Sequence, residues 1–320
     1  MPTSEGVLAP CCAGHGRERM RVPDVVPIDP DAPEALARES SRRARGLLAG
    51  VIDTHTHLLP DALYRALWRW FDVNAWRIAF RGNAEQALAE LARAGVTRNV
   101  ALVYAHKAGV AGSLNAYLAE LCSAHPGVIG VGTVMPGEPD AARVVREAID
   151  VHGLRGIKLH CHVQKLAIDD PRVMAVLSQC AEMRVPAVVH CGREPSTLAY
   201  GVDAHAICAV DRARRVLEAL PGLRLVVPHV GWDEIDGYLA LLAEFPGLYL
   251  DTSMACAEYF EESTRWADYE RHADRMMYGT DFPIIPFEAD RELRLIARRV
   301  VSDEAFEALV RGTARKFWEV

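Results

Sequence analysis

The chain has 320 residues, 50% of them hydrophobic and 25% charged, which is the composition of an ordinary soluble globular protein. Its formal net charge of -7 argues against nucleic acid or an anionic membrane surface as the main partner. No run of about 18 apolar residues occurs, and the N-terminus lacks the apolar core of a signal peptide. The eight cysteines lack the spacing of a disulfide framework, so reduced thiols and a cytoplasmic location are expected.

Residues 1–46 are predicted to form an N-terminal extension. The first part, to about residue 33, is rich in Pro and Gly and shows little periodicity, which is typical of a partly disordered tail. The Arg-rich segment 34–46 predicts a short helix. Residues 47–320 are then predicted to form one catalytic domain.

From residue 47 onward, short segments rich in Val, Ile and Leu alternate with amphipathic segments. The apolar segments show no polar alternation, as expected for parallel strands that are buried on both faces. Asn83 and Gly95 are suited to the two ends of a helix over 84–94. Eight strands that alternate with helices predict an α/β fold, a closed (β/α)8 TIM barrel, with a doubly wound open sheet as the alternative. The predicted strands are 49–54, 98–104, 128–134, 155–160, 186–191, 224–229, 248–252 and 276–280.

An aromatic-rich insertion follows the first predicted strand. Residues 58–82 contain Trp68, Trp70, Phe71, Trp76 and Phe80. In a barrel this segment would lie over the carboxyl ends of the strands, where active sites form. Two roles remain open: a helix that packs on the rim of the barrel, and a lid that lines a pocket. One segment can serve both.

The most informative motif is the His-x-His pair that ends the first strand. Side chains alternate between faces along a strand, so His55 and His57 are expected to point the same way. Two imidazoles on one face can bind one metal ion.

Other polar residues end the later strands. Together with the His-x-His pair, five of the twelve histidines and two aspartates lie at strand ends, more than structural histidines would explain. Imidazole and carboxylate groups are suited to zinc and related divalent ions. Asp251 is expected to hydrogen-bond one of the ligating histidines. These residues are His55, His57, Lys158, His160, His190, His229, Asp251 and Asp281.

The sequence resembles the amidohydrolase superfamily, in particular the amidohydrolase-2 branch. That branch contains enzymes similar to aminocarboxymuconate-semialdehyde decarboxylase and many uncharacterised TIM-barrel metal-dependent hydrolases. The resemblance spans about residues 50–318, and its motifs occur in the family's order. They are residues 53–57 (Asp-Thr-His-Thr-His), residues 156–160 (Gly-Ile-Lys-Leu-His), His190, His229, and residues 279–283 (Gly-Thr-Asp-Phe-Pro).

This resemblance implies one divalent metal ion, Zn²⁺ with Mn²⁺ as the alternative. Its ligands would be His55, His57, His190 and Asp281, and Asp281 would also transfer a proton. His229 would polarise the attacked group or orient the water.

Three further residues are predicted to bind substrate. Lys158 is expected to recognise a substrate carboxylate, although in some branches of the superfamily a carboxylated lysine at this strand bridges two metal ions. His160 lies beside it, and Arg193 follows the fifth strand. Lys158 and Arg193 together point to an acidic small molecule.

The leading functional prediction is a metal-dependent hydrolase, in which a metal-bound hydroxide attacks an amide, lactone or ester carbonyl. The alternative is a metal-dependent non-oxidative decarboxylase of a small hydroxyaromatic or unsaturated carboxylic acid that uses the same site. A binding protein that has kept only the barrel is a third possibility. A homodimer is the default expectation for an oligomer of this kind.

Overall fold

The computed structural model describes residues 33–44, 46–260 and 264–320. Within these ranges, eight strands form one parallel sheet in the order β1 to β8. The strands alternate with helices, which confirms the predicted (β/α)8 barrel. The strands are Val51–Thr56 (β1), Val96–Leu102 (β2), Val128–Thr133 (β3), Ile157–His160 (β4), Ala187–His190 (β5), Leu225–Val227 (β6), Leu248–Asp251 (β7) and Met276–Met277 (β8).

The helices connect the strands, and none in the described ranges is long and apolar enough to cross a membrane. The α-helices are Pro33–Ala44 (α1), Asp61–Asn74 (α2), Ala84–Arg93 (α3), Ala111–Ala124 (α4), Ala141–Arg146 (α5), Cys161–Gln164 (α6), Pro171–Glu182 (α7), Ala204–Ile207 (α8), Val210–Ala219 (α9), Ile235–Glu244 (α10), Trp266–Arg271 (α11), Arg291–Arg299 (α12), Asp303–Glu307 (α13) and Thr313–Trp318 (α14).

The barrel closes where β8 meets β1. The backbone N–H of Asp281 donates to the carbonyl oxygen of His55 at 2.8 Å. Nearby, the Thr280 hydroxyl donates to the buried Asp53 carboxylate at 2.6 Å. These bonds fix Asp281 beside the first histidine of the His-x-His pair.

The predicted capping of α3 is confirmed. The Asn83 side chain accepts a hydrogen bond from the backbone N–H of Gln86 at 2.9 Å, and the Gln86 side chain accepts one from the backbone N–H of Asn83 at 3.0 Å. This reciprocal pair satisfies two N–H groups that have no partner inside the helix.

The sixth strand is shorter than predicted. It ends at Val227 because Pro228 has no backbone N–H to continue the ladder. His229 then adopts a left-handed conformation with φ of 57°. Because of this turn, the His229 side chain does not point in the direction that a continuing strand would give it.

Helix α1 packs against α12. Buried Arg42 donates hydrogen bonds to the carbonyl oxygens of Ala297 and Val300. The predicted disordered tail falls on residues 1–32, which lie outside the described residues.

Candidate active site

Three buried side chains from opposite ends of the chain converge where β1 meets β8. His57 Nε2 lies 2.9 Å from Oδ1 of Asp281, and His55 Nε2 lies 3.2 Å from the same oxygen. One potential ligand atom of each residue lies within 4.8 Å of those of the other two. We call His55, His57 and Asp281 the first cluster.

The other ring nitrogens of these two histidines are already bound. His55 Nδ1 lies 2.8 Å from a carboxylate oxygen of Asp251, and His57 Nδ1 lies 3.0 Å from the carbonyl oxygen of Leu102. Both partners accept hydrogen bonds, so each Nδ1 is a donor and each Nε2 is the ring nitrogen left to face Asp281 or to bind a metal ion. This is the arrangement that metal-binding histidines adopt, so the first cluster fits a divalent cation.

Two carboxylates of this region, Asp251 and Asp281, are held in the ionised form. Burial raises the pKa of Asp251, but His55 and the hydrogen bonds around the carboxylate outweigh burial and lower the pKa to about 2. Burial also opposes ionisation of Asp281, but its hydrogen bonds to His55 and His57 hold its pKa well below the ordinary value. An anionic oxygen therefore faces two imidazole nitrogens.

A second group of three buried histidines lies at the ends of β4 and β5. One ring nitrogen of each lies within 4.8 Å of those of the other two. The rings of His160 and His190 stack with their centroids 4.1 Å apart, and the His162 centroid lies 4.7 Å from that of His190. Burial and the neighbouring imidazoles lower the pKa of His160 and of His190 well below the ordinary value. We call His160, His162 and His190 the second cluster.

His190 thus groups with different residues from those expected. It is predicted to ligate the same ion as His55 and His57, but the structure brings it together with His160 and His162. Its role as a fourth ligand of the first cluster stays a prediction.

His229 lies between the two clusters. Its ring stacks on that of His55 with centroids 5.3 Å apart, and its Nε2 lies 3.2 Å from His190 Nδ1. Its Nδ1 lies 3.0 Å from the carbonyl oxygen of Ser253. Burial lowers the pKa of His229 to about 4, so the ring is neutral near pH 7. Because Nδ1 donates to the carbonyl, Nε2 is a hydrogen-bond acceptor.

Lys158 is fully buried, and its Nζ has no hydrogen-bond partner among the described residues. Burial lowers the pKa of Lys158 to about 8. A buried ammonium group without a partner is unfavourable, and an anion entering the site would remove that cost. The position therefore suits a substrate carboxylate, while a carboxylated lysine remains the alternative.

A cavity of about 390 Å³ lies over these residues. Trp70, Phe71 and Trp76 of the aromatic insertion contribute to its wall, together with Tyr104 and Tyr200. The insertion also packs, since Trp76 Nε1 donates to the carbonyl oxygen of Ile284 at 3.0 Å. Both roles considered for this segment are therefore present.

Arg193 does not take the place expected of a substrate-binding residue. Its guanidinium lies 2.8 Å from Asp233 and 3.2 Å from Glu234, and it is not among the residues that line the cavity. The guanidinium thus pairs with local carboxylates, and the role of Arg193 in substrate binding stays a prediction.

Sequence reasoning missed His162, Tyr104 and Tyr200. His162 gave one usable signal, because it repeats with His160 the His-x-His spacing of residues 55 and 57. The two tyrosines belong to no motif. Tyr104 contacts His57 and His160 through its ring edge or face, with centroids 5.5 Å and 5.2 Å apart.

Solved structures of similar fold include proteins with and without a stated activity. An uncharacterized TIM-barrel protein from Bordetella bronchiseptica has a TM-score of 0.65 and 20% identity, covering 84% of this chain and 98% of that one. A 5-carboxyvanillate decarboxylase from Novosphingobium aromaticivorans with bound manganese has a TM-score of 0.62 and 17% identity, and the match covers 86% of this chain and 99% of that one. A 2,6-dihydroxybenzoate decarboxylase from Rhizobium has a TM-score of 0.61 and 16% identity, and the match covers 85% of this chain and 99% of that one.

At these identities the likeness shows a shared fold. The comparison with curated proteins gives no match. The family model described as amidohydrolase matches residues 52–320, a range that contains both clusters, His229 and Lys158. Because this match covers most of the chain, the protein belongs to the amidohydrolase family, in its amidohydrolase-2 branch.

Proposed function

We propose that the protein is a metal-dependent hydrolase that cleaves an amide, lactone or ester bond in a small, carboxylate-bearing molecule. The observation that carries this proposal is the first cluster. Its Asp281 oxygen lies against Nε2 of both His55 and His57, while both Nδ1 atoms are bound elsewhere. The donor set of imidazole and carboxylate suits Zn²⁺, and Mn²⁺ is also compatible.

The metal ion would supply Lewis acidity and lower the pKa of water towards about 7. The protein residues would handle the protons. Asp281 is ionised, so it can accept a proton from water as the water oxygen forms its bond to the carbonyl carbon. As the bond to the leaving nitrogen or oxygen breaks, Asp281 returns that proton to the leaving atom. The products are a carboxylic acid and an amine or alcohol.

His229 is better suited to orient the water than to polarise the carbonyl. A neutral ring that donates from Nδ1 to the Ser253 carbonyl has only an acceptor at Nε2. His190 lies beside that acceptor in the structure, and we propose that a water hydrogen takes its place during the reaction.

Lys158 and the cavity wall would select the substrate. The buried ammonium group would bind the substrate carboxylate by a charge-assisted hydrogen bond. Trp70, Phe71 and Tyr104 would contact an apolar or planar portion of the molecule.

Decarboxylation is the second candidate, and the aromatic wall favours it. Proteins of the same fold include decarboxylases of 5-carboxyvanillate and 2,6-dihydroxybenzoate. A substituted benzoate would place its ring against the aromatic residues and its carboxylate near Lys158. Asp281, once protonated, would then donate its proton to the carbon that loses carbon dioxide.

Turnover in ¹⁸O-labelled water separates the two reactions. A panel of lactones, anilides and esters that carry a carboxylate, together with hydroxybenzoates, would be incubated with the metal-loaded protein. Hydrolysis requires one solvent oxygen in the new carboxyl group, as read by mass spectrometry. A product that has lost carbon dioxide and contains no solvent oxygen would overturn the hydrolase proposal in favour of decarboxylation.

A further inference from the structure

We propose that Tyr104 is a further catalytic residue, whose hydroxyl group donates a hydrogen bond to the oxygen of the attacked carbonyl as negative charge develops there. This inference rests on the proposed hydrolysis and names a donor that the residues assigned above do not supply. His229 presents only an acceptor at Nε2, and the Lys158 ammonium group would bind the substrate carboxylate. The protein groups assigned so far therefore give the new oxyanion no hydrogen bond.

The end of β2 brings Tyr104 to the first cluster. Tyr104 follows the last residue of that strand, Leu102, by two positions, and the Leu102 carbonyl oxygen binds Nδ1 of His57 at 3.0 Å. The Tyr104 and His57 rings meet edge to face, with centroids 5.5 Å apart and an interplanar angle of 88°. The Tyr104 centroid also lies 5.2 Å from that of His160. The phenol ring is thus held between two imidazoles, one of them in the first cluster.

The backbone beside Tyr104 is held by hydrogen bonds in both directions. The N–H of Ala105 donates to the Thr133 hydroxyl at 3.0 Å, and the Ala105 carbonyl oxygen accepts from Gln164 Nε2 at 3.2 Å. Gln164 also donates to the carbonyl oxygen of Val134 at 2.9 Å, and these neighbours are all buried. A donor that is fixed before the reaction stabilises developing charge effectively, because it needs no reorganisation as the charge forms.

The Tyr104 hydroxyl makes no hydrogen bond to the part of the chain that the structure describes, and the residue lines the cavity. Tyr64, by contrast, already donates its hydroxyl hydrogen to the carbonyl oxygen of His57 at 2.7 Å. A phenol has an ordinary pKa of about 10, so Tyr104 is a neutral donor near pH 7. Burial raises that pKa, and Tyr200 and Asp281 raise it further, so the hydroxyl lies within electrostatic range of the Asp281 carboxylate.

Tyr200 is a less suitable donor, although it also lines the cavity. It ends the short 3₁₀ helix Leu198–Tyr200 in the loop that follows β5. Its nearest ring contacts are with Trp70 and His162, with centroids 5.2 Å and 5.3 Å apart. Among the described residues, Tyr104 is the tyrosine whose ring contacts a histidine of the first cluster, so Tyr200 serves as the comparison.

The hydrogen bond from Tyr104 would strengthen as the reaction proceeds. When the water oxygen bonds to the carbonyl carbon, the π electrons of the C=O bond move to its oxygen, while Asp281 takes the proton of the water. Tyr104 keeps its own proton and shares it with the oxyanion through the hydrogen bond. The C=O bond re-forms as the bond to the leaving atom breaks and Asp281 returns its proton. Because a charged acceptor binds a donor more strongly than a neutral carbonyl does, this bond stabilises the transition state more than the bound substrate.

Binding of a tetrahedral anion tests the inference without turnover. The probe is the monomethyl ester of 4-carboxyphenylphosphonic acid, whose phosphonate oxygens resemble the oxyanion. Planar 4-acetylbenzoate, which carries the same carboxylate, is the matched compound. Zinc-loaded full-length protein and its Tyr104→Phe and Tyr200→Phe variants would be titrated with each compound by calorimetry. We expect Tyr104→Phe to weaken phosphonate binding about 10- to 100-fold and 4-acetylbenzoate binding less than about threefold. Tyr200→Phe should weaken phosphonate binding less than Tyr104→Phe does.

Steady-state kinetics supply the second test. On a member of the substrate panel that is hydrolysed, Tyr104→Phe should lower kcat about 100-fold and leave KM within about threefold. Phenylalanine keeps the ring contacts with His57 and His160, so the zinc content and the melting temperature should equal those of the unaltered protein. A variant that loses zinc would show that Tyr104 supports His57 structurally, which would overturn the proposal.

Three binding results would also overturn it: unchanged phosphonate affinity in Tyr104→Phe, equal losses for the two compounds, or a larger loss in Tyr200→Phe. So would an unaltered protein that does not bind the phosphonate, because a fixed donor at the site should hold a tetrahedral anion. Phosphonate binding that Tyr104→Phe loses, in a protein whose turnover releases carbon dioxide without solvent oxygen, would refute the proposed hydrolysis and leave Tyr104 as the anion's hydrogen-bond donor.

Discussion

The two clusters use the same side chain in different surroundings. In the first cluster, carboxylates contact the imidazoles directly: Asp251 binds His55, and Asp281 binds both His55 and His57. In the second, the rings of His160 and His190 stack, His162 hydrogen-bonds to the carbonyl oxygen of Gly192, and His190 hydrogen-bonds to the imidazole of His229. Because of this difference, the carboxylates make the first cluster suitable for acid–base chemistry, whereas the second presents only imidazole nitrogens.

The largest expected effect comes from removing the carboxylate that distinguishes the first cluster. Asp281→Asn should lower turnover by about a thousandfold, because the amide cannot accept and return a proton. The protein should still fold, since asparagine tolerates the left-handed backbone at this position, where φ is 65°. Steady-state kinetics and circular dichroism would test both expectations. A folded variant with near-normal turnover would remove the functional distinction between the clusters.

The second prediction concerns the contribution of Asp251 to metal affinity at the first cluster. Asp251→Asn would place an amide where the carboxylate accepts from His55 Nδ1, which disfavours the tautomer that presents Nε2 to a metal. Affinity at the first cluster should fall about 10- to 100-fold. Competition with a chelating dye would measure it. An unchanged affinity in a folded variant would mean that Asp251 does not orient His55 for metal binding.

Lys158 tests whether the cavity between the clusters binds an acid. Lys158→Met keeps most of the side-chain length but removes the charge, so KM for a carboxylate substrate should rise about 10- to 100-fold. The methyl ester of the same compound serves as the control, because its KM should change little. Equal effects on acid and ester would show that Lys158 does not bind the carboxylate.

The smallest expected effect concerns Glu292, a buried carboxyl group near the first cluster. Buried Glu292 accepts hydrogen bonds from the backbone N–H groups of Met254 and Cys256, next to Ser253. Burial raises the pKa of Glu292 well above its ordinary value of 4.5. Folding therefore takes up a proton above pH 4.5, and the free energy of unfolding should fall as pH rises through that window.

One proton corresponds to a slope of at most about 1.4 kcal/mol per pH unit. Glu292→Gln should remove this contribution, as measured by urea denaturation across the pH range. Glu120→Gln, at an exposed position of α4, is the matched control and should leave the slope unchanged. An unchanged slope in Glu292→Gln would mean that the buried carboxyl titrates alike in folded and unfolded chains.

The barrel and the first cluster were predictable because both follow from strand geometry. Runs rich in Val, Ile and Leu marked most of the eight strands, and the two-residue alternation of β1 placed His55 and His57 on one face. His162 was not predicted in this way, because it lies in the short helix α6, where strand alternation no longer applies. The position of the Arg193 side chain depends on its ion pairs with Asp233 and Glu234, about 40 positions away in the sequence. Residue type alone does not predict which ion pairs a loop residue forms.

The bonds that close the barrel have a consequence for the order in which the site is assembled during folding. Asp53 and Thr280, which are 227 positions apart, join the two ends of the sheet beside the first cluster. His162 and Gly192, which hold the second cluster, are only 30 positions apart. Contacts between distant residues cost more loop-closure entropy and form slowly. The second cluster can therefore assemble within one β–α–β unit, whereas the first exists only after the whole barrel has closed.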